Sequence, residues 1–190
     1  MQALIAGLVV FLGIHSIRIV APALRDALAA RLGEWPWKGL YSLVAAAGLY
    51  GVVVGFAASR AAPVVLYAPP PALRVAALVL MVPVFPMLLA AYLPGHLQTR
   101  LKYPLLAATK TWALAHLLAN GRLADVLLFG GFLAWAVADR IAVGRRPRPP
   151  VPGLTAGRFN DAIAVAAGLA LYAAFVLAWH VRLFGVSPLP

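Results

Sequence analysis

The chain has 190 residues, 64% of them apolar and 11% charged, with a mean hydropathy of +0.92 and a formal net charge of +11. That composition lies far outside the soluble range and replaces the expectation of one or two soluble domains with an all-α, polytopic transmembrane helix bundle. Cysteine is absent, which excludes disulfides, thiolate zinc sites, cysteine-ligated iron–sulfur clusters and covalently attached c-type haem. Any metal must be held by nitrogen or oxygen.

About six spans are predicted, at 3–17, 39–59, 72–93, 101–119, 123–138 and 160–179. The first imitates a signal peptide, with Ala27-Leu-Ala-Ala30 downstream, but it lacks a basic leader and meets Arg18 and Arg25. It reads as a retained span. A short interfacial helix is expected near 22–33, with Leu24, Leu28 and Leu32 on one face, Pro22 in its first turn and Gly33 as its stop. In the second span Gly48, Gly51 and Gly55 share a face that permits close helix approach, to an internal neighbour in preference to a second copy. Pro83 and Pro86 predict a kink in the third span. The fourth and fifth spans are short, and Asn120-Gly121-Arg122 joins them as a tight helical hairpin.

Beyond the membrane block at 1–140, a basic proline-rich linker at 141–159 leads to a C-terminal helix and tail at 160–190, read as peripheral to the rest. Eleven Arg and Lys residues fall in the first, third and fifth loops and four on the opposite side, which places both termini on the non-cytoplasmic face of the inner membrane. The positive charge therefore reflects topology. No basic stretch has the length or aromatic interleaving of a nucleic-acid surface.

Four histidines are candidates for chemistry: His15, His96, His116 and His180. An imidazole in a bilayer needs a partner, whether a metal, a haem iron or another polar group. His96 follows Pro94-Gly95 and reads as a solvated loop residue. His180, beside Trp179 and Arg182, reads as interfacial anchoring. His15 lies in Gly13-Ile-His-Ser-Ile-Arg18, with Arg18 close to its face; a hydrogen bond to a nearby carbonyl would satisfy it without function.

His116 sits in a stripe of Thr109, Trp112, His116 and Asn120 at helical spacing. The next span answers with Asp125, Phe129, Phe132 and Asp139. The hairpin is expected to bring Asp125 within reach of His116 or Asn120, either to orient a ligating imidazole or as a purely structural pair. No nucleophile elbow, phosphate loop, zinc-protease motif or paired carboxylates occur, so no catalytic residue is assigned. Five acidic residues and no internal repeat argue against a secondary transporter.

Four blocks resemble the NnrU-like membrane proteins: Phe11-Leu-Gly-Ile-His-Ser-Ile-Arg-Ile-Val-Ala-Pro22, Trp37-Lys-Gly-Leu-Tyr-Ser-Leu43, Trp112-Ala-Leu-Ala-His-Leu-Leu-Ala-Asn-Gly121 and Phe132-Leu-Ala-Trp-Ala-Val-Ala-Asp139. They cover most of 1–140, with little signal after the linker. The family's name implies a link to denitrification, in nitric oxide and nitrite reductase expression or activity.

The zeta-carotene isomerases look like distant relatives and are membrane b-type haem proteins with histidine ligands. Carried over by motif, those ligands fall on His15 and His116. The resemblance then implies haem b, with Trp112 flanking the macrocycle, Asn120 on the same stripe, and Arg18 or Arg122 pairing with a propionate. With both termini outside, the six-span topology puts the two imidazoles at depths about 10 Å apart. The alternatives are a cofactor-free assembly factor for another membrane protein or a nitrogen-oxide reductase system, and a haem-dependent isomerase of a lipophilic polyene.

Overall fold

A computed structural model describes residues 1–144 and 155–189, so the core of the proline-rich linker lies outside the described residues. The chain forms two compact units, one of Met1–Tyr67 with Arg122–Arg146 and the other of Ala68–Gly121 with Pro147–Pro190. Every regular element among the described residues is helical. Five helical stretches are long and apolar enough to cross a membrane: Gln2–Val20, Glu34–Ala58, Pro71–Ala90, Leu123–Val143 and Asn160–Phe184. The fourth predicted span starts later than expected, at Pro104. Its 16 residues extend for only about 24 Å, short of a full hydrocarbon crossing.

The first unit holds α1 (Gln2–Val20), α2 (Pro22–Leu32) and α3 (Glu34–Ala58). As the sequence predicts, α2 opens on Pro22 and stops at Gly33, whose φ of 89° only glycine adopts without strain. This stop turns the chain so that α3 runs back along α1. The glycine face of α3 meets α1 within the same chain. Methyl groups added at Gly7 or Gly55 would overlap the backbone of Val52 or Leu4, and one at Gly48 would lie 2.6 Å from Phe11 N. The two backbones are therefore in direct contact along an antiparallel pair.

The second unit begins with α4 (Pro71–Met81) and α5 (Val84–Ala90), one span broken where two prolines are expected to kink it. Pro83 has no N–H to donate, and Val82 N–H bonds Val79 O in a tightened step. Leu78 O accepts the Tyr172 hydroxyl at 2.8 Å instead. Main-chain groups freed inside a membrane need such a partner. Next come α6 (His96–Leu101) and α7 (Pro104–Ala119), the latter packed on α4 and α5.

The first unit is completed by α8 (Leu123–Val143), which packs on α1. The second is completed by α9 (Asn160–Ala174), a π-helical stretch Phe175–Trp179 and α10 (His180–Phe184), which together form one long helix. Read as peripheral from sequence, this last span is instead packed on α5, with Gly168 against the backbone of Pro86. Two polar clamps reinforce the contact. The Asp161 carboxylate accepts from His96 N (2.8 Å) and Leu97 N (3.0 Å), and Asn160 Nδ2 donates to Pro94 O (2.9 Å). Linker composition carries no information about where the following helix docks.

A candidate haem-ligand niche around His15

His15 lies on α1, between α3 and α8 of the first unit. Its Nδ1 is 2.6 Å from Phe11 O, one helical turn back. A carbonyl only accepts, so Nδ1 carries the proton, and in the neutral ring Nε2 is left with its lone pair. That tautomer is the one a metal-binding histidine uses, oriented by a hydrogen bond on its other nitrogen.

Three aromatic side chains surround the ring. Phe11 stacks on it with centroids 4.3 Å apart, Tyr41 of α3 meets it edge-on at 5.4 Å, and Trp135 of α8 stands at 88° to it at 5.9 Å. Phe132 extends the cluster through Phe11 at 5.7 Å. The register follows from the packing: Leu4 against Gly55, Phe11 against Gly48 and His15 against Tyr41 run along the antiparallel pair α1/α3. Along α1 and α8, Phe11 with Phe132 and His15 with Trp135 advance together, as parallel helices require.

Among the described residues one buried side-chain polar atom lacks a hydrogen-bond partner, and it is Trp135 Nε1. Such an orphaned donor costs about 1–3 kcal/mol in desolvation. Sequence reasoning singled out His15 and Arg18 here but neither Tyr41 nor Trp135. Both lie in the quoted family blocks, and only tertiary packing shows that these blocks converge. Arg18 is exposed on α1, one turn beyond His15.

His116 belongs to the second unit, in the last turn of α7. Its Nδ1 lies 2.9 Å from Trp112 O, so the same tautomer is set, and the Trp112 ring is 5.3 Å away. Asn120 closes the helix: its N–H and its Nδ2 both donate to His116 O at 2.9 Å. Thr109 donates its hydroxyl to Leu105 O. His180 repeats the pattern, with Nδ1 at 2.8 Å from Val186 O and the Phe184 ring at 5.0 Å. His96 is exposed at the start of α6.

Asp125, which the sequence reading offers to His116 or Asn120, is 1% exposed and is taken by Arg122 in the first unit. Its Oδ2 accepts from Arg122 N (3.1 Å) and Nε (2.8 Å), and its Oδ1 accepts from a terminal guanidinium nitrogen at 2.8 Å. The carboxylate thus closes the turn that starts α8, three residues away, where it also suits the positive end of the helix dipole. Its hydrogen bonds hold the Arg122 guanidinium above its ordinary range against the opposing effect of burial. Burial, and then the Asp125 charge, push the nearby Tyr67 phenol up. Arg122 also lies over the Phe56 ring at 5.6 Å, and Leu123 N donates to Val64 O.

Within either unit no three His, Asp or Glu side chains among the described residues form a cluster able to hold a bare metal ion. An imidazole protonated on Nδ1, as in His15, is a donor suited to a metal whose remaining ligands come with it, as iron does in a porphyrin. The orphaned indole N–H beside His15 agrees with a polar group seated there.

The family model described as NnrU protein covers residues 3–188, so the similarity runs past the linker and through the last helix, beyond the 1–140 suggested by the sequence blocks. No curated protein and no solved structure matches the chain.

Proposed function

We propose, from the premise that the chain belongs to the NnrU family, that it binds b-type haem through intramembrane histidines, with His15 the principal ligand. The observation that carries this reading is the His15 niche. Three separated sequence blocks bring Phe11, Tyr41 and Trp135 around one imidazole whose Nε2 is presented as a lone pair. His116, set in the same tautomer in the second unit, is the other imidazole to which the family resemblance points.

Each residue has a role in this reading. Phe11 O fixes the tautomer, while the Phe11 ring and the edges of Tyr41 and Trp135 hold the imidazole plane and keep water away. Exposed Arg18, one turn further along α1, is available to a propionate. The iron, when bound, supplies one-electron exchange or small-ligand binding. The biological setting is the one that the family resemblance implies: support of nitric oxide and nitrite reductase expression, assembly or redox supply at the inner membrane.

The cofactor-free assembly reading draws on the glycine face of the second span and the basic loops; the glycine face is packed on α1.

The test is the absorption spectrum of protein purified in detergent from haem-replete cells, oxidised and dithionite-reduced. A Soret band with a sharp reduced band, lost in His15→Ala, is expected. His116→Ala reports whether the imidazole of the second unit ligates as well. A wild-type protein without a Soret band would end the haem reading.

A further inference from the structure

Two polar atoms able to meet a ligand belong to rings of the same cluster in the first unit. One is the lone pair on His15 Nε2; the other is the Nε1–H of Trp135, buried and unpartnered, on a ring 5.9 Å from the imidazole. Tyr41 and Phe11 fill the adjacent sides with ring faces and edges. An unpaired indole N–H in so apolar a site is unfavourable unless a bound group accepts from it. The Nε2 needs a Lewis acid or a donor, whereas the Nε1–H needs an acceptor. A haem meets both needs, because it carries a metal and carboxylate oxygens at different places.

Resting on the haem reading, we infer that Trp135 is the residue that orients the tetrapyrrole, donating its Nε1–H to a propionate oxygen while His15 holds the iron. Propionate carboxylates are the only oxygen acceptors at the edge of this porphyrin, so the indole selects the rotation of the macrocycle about the Nε2–iron axis. Trp135 is in this sense a positioning residue. A hydrogen bond to a charged acceptor is the stronger kind, and it gives the buried indole N–H a partner.

The experiment uses zinc protoporphyrin IX as a diamagnetic probe and zinc aetioporphyrin, which has no carboxylates, as its comparison. Full-length protein in detergent is labelled with ¹⁵N-tryptophan. The chain has five tryptophans, and Trp135→Phe identifies which indole signal is Trp135. Zinc protoporphyrin is expected to move the Trp135 N–H downfield and to slow its exchange with water about tenfold. Zinc aetioporphyrin is expected to bind, to give only the ring-current shift that both porphyrins share, and to leave the exchange rate unchanged. Trp135→Phe should weaken zinc protoporphyrin about tenfold and leave zinc aetioporphyrin unchanged, a split that loss of packing would not produce.

Equal responses to the two porphyrins would overturn the inference while the haem reading stands. Binding of neither porphyrin would overturn both. The wild-type NMR comparison carries the test on its own if the variant does not fold.

Discussion

The two units hold their helices together by different means. In the first, α1 and α3 touch backbone to backbone over Gly7, Gly48, Gly51 and Gly55, so association needs few large side chains at the seam. In the second, one glycine seats α9 on Pro86, and polar groups complete the fit: Asp161 on the N-terminus of α6, Asn160 on Pro94 O and Tyr172 on Leu78 O. Hydrogen-bonding groups in the second unit therefore serve packing. In the first, the glycine seam supplies the packing, and the aromatic side chains beyond it gather around His15 with an indole N–H left over.

Substitutions that break this contrast differ in size. Arg122→Ala leaves the Asp125 carboxylate buried without its guanidinium, and a loss of about 3–5 kcal/mol in the first unit is expected. Thermal denaturation in detergent, followed by circular dichroism, reads it, and a double change with Asp125→Ala should recover part of the loss. Gly55→Val places a branched side chain against the backbone of Leu4, which cannot move without displacing α1. About 3 kcal/mol is expected, with parallel loss of whatever His15 binds.

Gly168→Ala puts a methyl into overlap with Pro86 N, Cα and Cδ, and about 1–3 kcal/mol is expected. The same melts should show the His15 spectrum unaffected until the protein unfolds. Gly131→Ala is the control. Its methyl would meet only the end of the Leu12 side chain at 3.4 Å, and a change within about 0.5 kcal/mol is expected. A large effect there would show that α1 and α8 pack more tightly than the first unit requires.

Local chemistry made much of the fold readable from sequence. Pro22 and Gly33 mark the ends of α2, the glycine spacing marks the seam of α3, and Pro83 marks the break between α4 and α5. His15 stood out because an imidazole in an apolar helix is conspicuous. Its neighbours did not, since Tyr41 and Trp135 are ordinary aromatic residues of membrane helices until packing brings them to the same ring. Helical spacing offers Asp125 to His116 or Asn120 and gives no sign of its ion pair. Its partner Arg122 lies three residues away, and an arginine beside an Asn-Gly turn looked like a loop charge. The docking of α9 was illegible because it depends on Gly168 and Pro86, small or rigid residues that give no periodic signal of their own.

The central claim is that His15 is a ligand rather than a structural histidine. Replacing it with alanine leaves a cavity that free imidazole can enter, so the decisive measurement is the Soret and reduced spectrum of His15→Ala in detergent, before and after adding imidazole. Ligation by His15 requires loss of the wild-type spectrum and its return with imidazole. A wild-type spectrum in His15→Ala without imidazole would contradict it.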